Sequence, residues 1–274
     1  MPSVCTLLND LSEGHTTGKP VLAGGEAVRH ERGHAMTTYV LVHGAWHGGW
    51  CWNRVAARLR EAGHEVHTPT LTGLGERAHL AGPGIGLRTH VDDLLGLLKY
   101  EDLRDVVLVG HSYAGLVVRE AADRAPERVS RLTLVDAWVG RDGESLDDLA
   151  PAFFRDWVDS VTVDGLVPVA PAASIGVTEP DQVAWLESRM TPHPRRTFSE
   201  PTRLSGAVDA IPCHAVLCTP GGPMPFVRFA EEHGWAGTTL DVGHDAMVTA
   251  PDALADILLR DASGSRPAPV SETP

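Results

Sequence analysis

The sequence predicts an α/β protein with a mostly parallel central sheet, helices on both faces and a helical lid inserted after the strand that ends at Asp136. Three observations carry this expectation. From Thr38 onward, short apolar runs alternate with longer amphipathic ones, the rhythm of strand, crossover helix and strand. The short runs, such as Val106-Val107-Leu108-Val109, are continuously apolar rather than alternating, as befits strands covered on both faces. The rhythm stops after Asp136, and a proline-rich stretch with helical pieces intervenes before a further apolar run resumes at Cys213.

The elements follow in order. Thr38 to His43 reads as a strand. Trp52 to Ala62 reads as a helix with Val55 and Leu59 on one face and Gly63 as its stop. Glu65 to Leu71 is the next strand. Thr89 opens a helix running to Lys99, with Asp92 as its capping partner. Val106 to Gly110 is the most apolar strand, followed by a helix over 114–125 and a strand from Arg131 to Val135. Helices are expected over 146–158 and 180–189, a strand over Cys213 to Cys218, a helix from Phe226 to His233, a strand from Gly237 to Val242 and a last helix from Pro251 to Arg260. The resulting division is a core of residues 37–139 and 209–261, a lid of 140–208, a flexible N-terminal extension of 1–36 and a disordered tail of 262–274.

Composition narrows the function classes. A chain of 274 residues, 43% hydrophobic and 22% charged, can bury one large core. A formal net charge of −13 argues against nucleic acid or an anionic membrane surface as partner, since phosphate binding needs clustered Lys and Arg. Cys5, Cys51, Cys213 and Cys218 have no ligand spacing and are expected as reduced thiols; no apolar run would span a bilayer, and no h-region marks a signal peptide. A cytoplasmic monomer or homodimer acting on a small neutral molecule is the expectation. No cofactor or metal is implied: the stretches 73–75 and 82–86 lack the G-x-G-x-x-G pattern, and no His or Cys cluster has metal spacing.

The chemistry concentrates in three places. Gly110-His-Ser-Tyr-Ala114 stands where the most apolar strand meets a helix, the pattern of a nucleophile elbow that lifts Ser112 to a helix N-terminus, with Ala114 where glycine is usual. A serine hydroxyl needs a base. His244, just past the final strand, occupies the position for one, whereas His193 and His214 have no motif around them and His111 is read as orienting the elbow. The Gly-rich turn His43 to Trp50 follows the first strand, and its Ala45 N–H together with that of Tyr113 would form an oxyanion pair.

The stretches Val42 to Trp52, Leu71 to Leu80, Gly110 to Gly115 and Gly243 to Met247 make the sequence similar, over about residues 37–260, to the α/β-hydrolases and within them to the plant methylesterase and hydroxynitrile lyase group and its bacterial relatives. The resemblance implies a Ser-acid-His triad. That family carries its acid in the loop after the strand that follows the lid, yet here Cys218 to Pro225 contains no carboxylate. Asp136, at the end of the preceding core strand, is the substitute, as in some lipase-type relatives; Asp142 and Glu144 are weaker alternatives, and Asp245 is too close to His244 to face its ring. Trp46, Trp138, Phe153, Phe154 and Trp157 suit a small apolar or aromatic ester or lactone. Three functions follow: a serine hydrolase acting through an acyl-enzyme, a C–C lyase on the same scaffold, and a non-catalytic small-molecule sensor. The resembled lyases place a Lys near the base, and this sequence has no Lys after Lys99.

Overall fold

A computed structural model describes residues 36–219 and 222–262. The expected extension and tail lie outside them, except for Met36 and for Ala262, which ends the last helix. In chain order the elements are β1 (Thr38–Val42), α1 (Asn53–Glu61), β2 (Glu65–His67), α2 (Leu87–Tyr100), β3 (Val106–His111), α3 (Ala114–Arg124) and β4 (Val129–Val135). The intervening segment holds α4 (Leu146–Leu149), α5 (Ala152–Val161), β5 (Leu166–Val167), α6 (Pro180–Glu187), β6 (His193–Pro194) and α7 (Arg196–Ser199). The core resumes with β7 (Cys213–Cys218), α8 (Phe226–Glu232), β8 (Ala236–Leu240), α9 (Ala246–Thr249) and α10 (Pro251–Ala262).

Six strands form one parallel sheet in the order β2-β1-β3-β4-β7-β8. β3 lies near its middle and is buried along its whole length. A strand with neighbours on both edges and helices on both faces offers water nothing, and the run Val106 to Val109 is apolar for that reason. Because all six strands are parallel, the loops after β1, β3, β4, β7 and β8 emerge at one edge, where ligands of open α/β sheets bind.

Several expected boundaries are corrected. β2 stops at His67 rather than Leu71, because Pro69 has no N–H for the ladder and Thr70 turns its hydroxyl to accept the Gly49 N–H at 2.8 Å. α2 starts at Leu87; Thr89 is not its cap but sits in its first turn, where its hydroxyl accepts the Gly86 N–H at 3.4 Å, and Asp92 pairs instead with Arg124. The helix expected over 146–158 is two, parted at Pro151. β4 begins at Val129, and β8 ends at Leu240. Cys51, Cys213 and Cys218 are free thiols. No helix among the described residues is long and apolar enough to cross a membrane.

Candidate active site

β3 hands over to α3 within two residues, and Ser112 stands on the turn with φ 52°, a left-handed conformation that costs a residue with a Cβ. Its neighbours hold it there. The Ser112 N–H donates to the Val135 carbonyl at 3.1 Å, and its own carbonyl accepts the N–H groups of Gly115 and Trp138, each at 3.0 Å. A Cβ on Gly110 would meet Val118 Cγ2 at 2.7 Å, and one on Gly115 would run into the Trp138 carbonyl oxygen. The glycine that this crossing requires therefore stands at 115, one place beyond the usual position.

Asp136 is the first residue after β4, with φ 41°. Its N–H donates to the Val216 carbonyl at 2.8 Å, which ties the residue to β7. Both carboxylate oxygens are engaged: Oδ1 accepts the Cys218 N–H at 2.8 Å and Oδ2 lies 3.1 Å from His244 Nδ1. A carboxylate only accepts, so Nδ1 carries the hydrogen and His244 Nε2 keeps the lone pair of the neutral ring. The ring stacks on Phe226 with centroids 5.3 Å apart, and the His244 carbonyl accepts the His111 Nε2–H at 3.1 Å. One residue earlier, Gly243 presses its backbone on Gly176 of the inserted segment, whose φ of 80° and closeness to Gly243 exclude a side chain at either place.

The turn after β1 passes against the elbow. A Cβ on Gly44 would meet His111 Nδ1 at 2.8 Å and Ser112 Cβ at 2.9 Å. His43 Nε2 accepts the Leu71 N–H at 3.1 Å, so its Nδ1 holds the proton and donates to the Gly44 carbonyl at 2.8 Å. Burial pushes the His43 pKa down to about 3, which keeps this ring neutral. The Gly44 carbonyl and the Ala45 N–H belong to one peptide, as do the Ser112 carbonyl and the Tyr113 N–H. Hydrogen bonds on those carbonyls polarise both peptides and strengthen their N–H groups as donors. Neither the Ala45 N–H nor the Tyr113 N–H has a hydrogen-bond partner among the described residues.

Both residues border a cavity of about 470 Å³ at the carboxyl edge of the sheet. Ser112, Asp136 and His244 line it, and so do Trp46, Trp138, Phe153, Phe154 and Trp157. Trp46 and Trp138 are buried, whereas Phe153 is 51% exposed. Phe198 and Phe226, not anticipated from the sequence, also line it, and among the described residues neither Lys nor Arg contributes to it.

A model of the alpha/beta hydrolase family matches residues 39–257. The chain belongs to the α/β-hydrolase family. It is 39% identical to the carbendazim hydrolyzing esterase of a Nocardioides strain over 238 residues, which are 81% of this chain and 98% of that one. It is also 32% identical, over 143 residues, to a putative chloroplastic methylesterase of Arabidopsis thaliana, matching 52% of this chain and 39% of that protein. Among solved structures, an extracellular α/β-hydrolase from a Paenibacillus species superimposes with a TM-score of 0.74 at 22% identity, covering 82% of this chain and 98% of the other.

Three buried side chains of this α/β-hydrolase escaped the sequence reading. His193, on β6, accepts the Trp46 N–H on its Nδ1 at 3.3 Å, and the Thr191 N–H donates to the Trp46 carbonyl at 2.9 Å; the inserted segment thus grips Trp46, whose φ is 65°. Asp245 is fully buried and faces His47, not His244, across 2.9 Å. No local motif flags these pairs, although His47 lies within the Gly-rich turn. Arg77 bonds Asp93 at 3.3 Å and the Thr70 carbonyl at 2.8 Å. His111, His244 and Asp245 bring ligand-type atoms within 4.8 Å of one another, yet His244 Nδ1 and His111 Nε2 already have protein partners.

Proposed function

We infer that this hydrolase is a serine esterase that cleaves a small, neutral, largely apolar or aromatic carboxylic ester or lactone through an acyl-enzyme. The observation that carries the reading is the meeting, at one apolar cavity, of Ser112, the Asp136–His244 pair and two unpaired backbone N–H groups. In this mechanism Ser112 Oγ attacks the ester carbonyl carbon while His244 Nε2 takes the hydroxyl proton. The negative oxygen of the tetrahedral intermediate is held by the Ala45 and Tyr113 N–H groups. His244 then protonates the departing alkoxide, and a water repeats the sequence to release the carboxylic acid and restore Ser112. Asp136 holds the imidazole tautomer and stabilises the imidazolium.

The substrate class is supported by the aromatic walls and by the absence of Lys and Arg from the lining among the described residues, which gives an anionic substrate no counter-charge there. The relatives that match over most of their length include an esterase, which agrees with this chemistry. Among the described residues the lining also contains no Lys of the kind the lyase reading calls for. Segment 140–208 acts as the lid in this reading, and Phe153, Phe154 and Trp157 of α5 line the same cavity as Ser112.

Intact-mass analysis after fluorophosphonate treatment tests the reading. One adduct on the wild-type chain and none on Ser112→Ala is the expected result; an unlabelled, folded wild type would sink it.

A further inference from the structure

The turn that carries Ala45 rests on a charged pair that this mechanism does not use. His47 is 2% exposed and Asp245 is wholly buried. His47 Nε2 lies 2.9 Å from Asp245 Oδ2, and the other ring nitrogen, Nδ1, lies 2.7 Å from the Ala45 carbonyl oxygen. Both partners are acceptors with no hydrogen to give. Each ring nitrogen must therefore carry a hydrogen, and a histidine with two N–H groups is an imidazolium.

We propose that His47 and Asp245 form a permanent buried ion pair that positions the Ala45 turn against Ser112. Asp245 keeps His47 doubly protonated, and His47 in turn holds the Ala45 carbonyl. That fixes the peptide next to the one that carries the Ala45 N–H, while Gly44 lies against the elbow. The inference rests on the reading of Ala45 as an oxyanion donor. A buried ion pair adds little net stability, because desolvation offsets the attraction, so a positioning role accounts for it better than a stabilising one.

The surroundings leave the assignment of charge intact. Trp50 stacks on the His47 ring at 5.5 Å, and the His111 ring at the end of β3 meets it edge-on at 6.4 Å. His111 Nε2, which donates to the His244 carbonyl, lies 3.8 Å from Asp245 Oδ1. Burial drives His43, His111 and His193 towards their neutral forms and the Cys51 thiol upward in pKa, so Asp245 is the charge that His47 faces. The pair thereby joins the turn after β1 to the loop after β8, and His111, at the end of β3, packs beside both partners. Asp245 and His47 are positioning residues, and neither touches the reacting atoms.

The test has two arms on the full chain. The first is side-chain ¹⁵N NMR of the wild type at about pH 8, where an ordinary histidine, with a pKa of about 6.5, is neutral. A doubly protonated His47 ring is expected, and its loss in Asp245→Asn; a neutral His47 in the wild type overturns the proposal without recourse to any variant. The second arm is hydrolysis of p-nitrophenyl acetate. Asp245→Asn and His47→Gln should each lower kcat about 100-fold, the scale of a misplaced reacting geometry, with KM little changed and the circular dichroism spectrum retained. The double variant should lose no more than either single one, because the two residues act as a unit. Folded variants with wild-type kcat, or losses that multiply, count against a positioning role. Fluorophosphonate labelling of Ser112 keeps the two readings apart: an unlabelled wild type removes the serine mechanism, whereas the NMR arm decides the ion pair by itself.

Discussion

His244 Nδ1 lies 3.1 Å from Asp136 Oδ2, although 108 residues separate the two in sequence. The contact exists because β4 and β7 pair in parallel register, Val135 opposite Val216, so that Asp136 leaves the sheet beside the loop after β7. Asp136→Asn keeps an oxygen for the Cys218 N–H and the shape of the site, but lets the imidazole settle in the wrong tautomer. A fall in kcat of about 10⁴-fold with little change in KM is expected from steady-state ester hydrolysis. A loss of only a few-fold would assign the acid elsewhere.

Gly44 is where the turn after β1 touches the elbow. Gly44→Ala puts a methyl 2.8 Å from His111 Nδ1 and 2.9 Å from Ser112 Cβ, too close on both sides. The turn must retreat by a fraction of an ångström, and kcat should drop by as much as about 100-fold. Stability should fall by about 1–3 kcal/mol, as for other overpacked sites. Kinetics and urea denaturation on the same variant check both; full activity would show that the turn has slack.

Phe153 and Trp138 border the same cavity with opposite exposure, 51% against 3%. Phe153→Ala should leave stability within about 0.5 kcal/mol of wild type and raise KM for aromatic esters more than for acetate esters. Trp138→Ala should cost about 3–5 kcal/mol, because its ring is packed against Phe154, Phe226 and Phe229. Equal effects of the two substitutions on stability would contradict this division of labour.

Buried histidines set the pH dependence of stability. Burial holds His43 at about 3 and His90 at about 4, and it drives His111 and His193 well below the usual value. The unfolded chain takes up protons on these rings near pH 6.5 while the folded one does not, so their contribution is complete above that pH and is lost as pH falls. Each contributes a slope of about 1.4 kcal/mol per pH unit in that window. His47 works in the opposite sense: Asp245 outweighs the burial that would lower its pKa, so its contribution is present below about 6.5 and lost at higher pH. Asp245, held at about 2 by His47 against the upward push of burial, matters only below about pH 4. Four rings outweigh one, and unfolding free energy from urea titrations should rise steeply from pH 5 to pH 7. A flat profile over that range would mean that these histidines are charged in the folded state.

How much was legible follows from how local each signal is. Apolar runs of strand length, the turn glycines Gly110 and Gly115, and a histidine just past the last strand are patterns within a few residues, and they suffice for an α/β sheet with Ser112 and His244 at one edge. Element ends were less legible: Thr89 has the look of a cap, yet the chain finds a better start at Leu87 with Gly86 before it. Asp136 could be named because it stands at a strand end, but its reach to His244 depends on the register of β4 against β7. The grip of His193 on Trp46, the Gly176 contact with Gly243, and the pairing of Asp245 with His47 across 198 residues were decided by the tertiary structure alone. A side chain in isolation does not say which acceptor will face it. Packing removes water from both partners at once, and only then does each buried donor require the one acceptor that the fold has set before it.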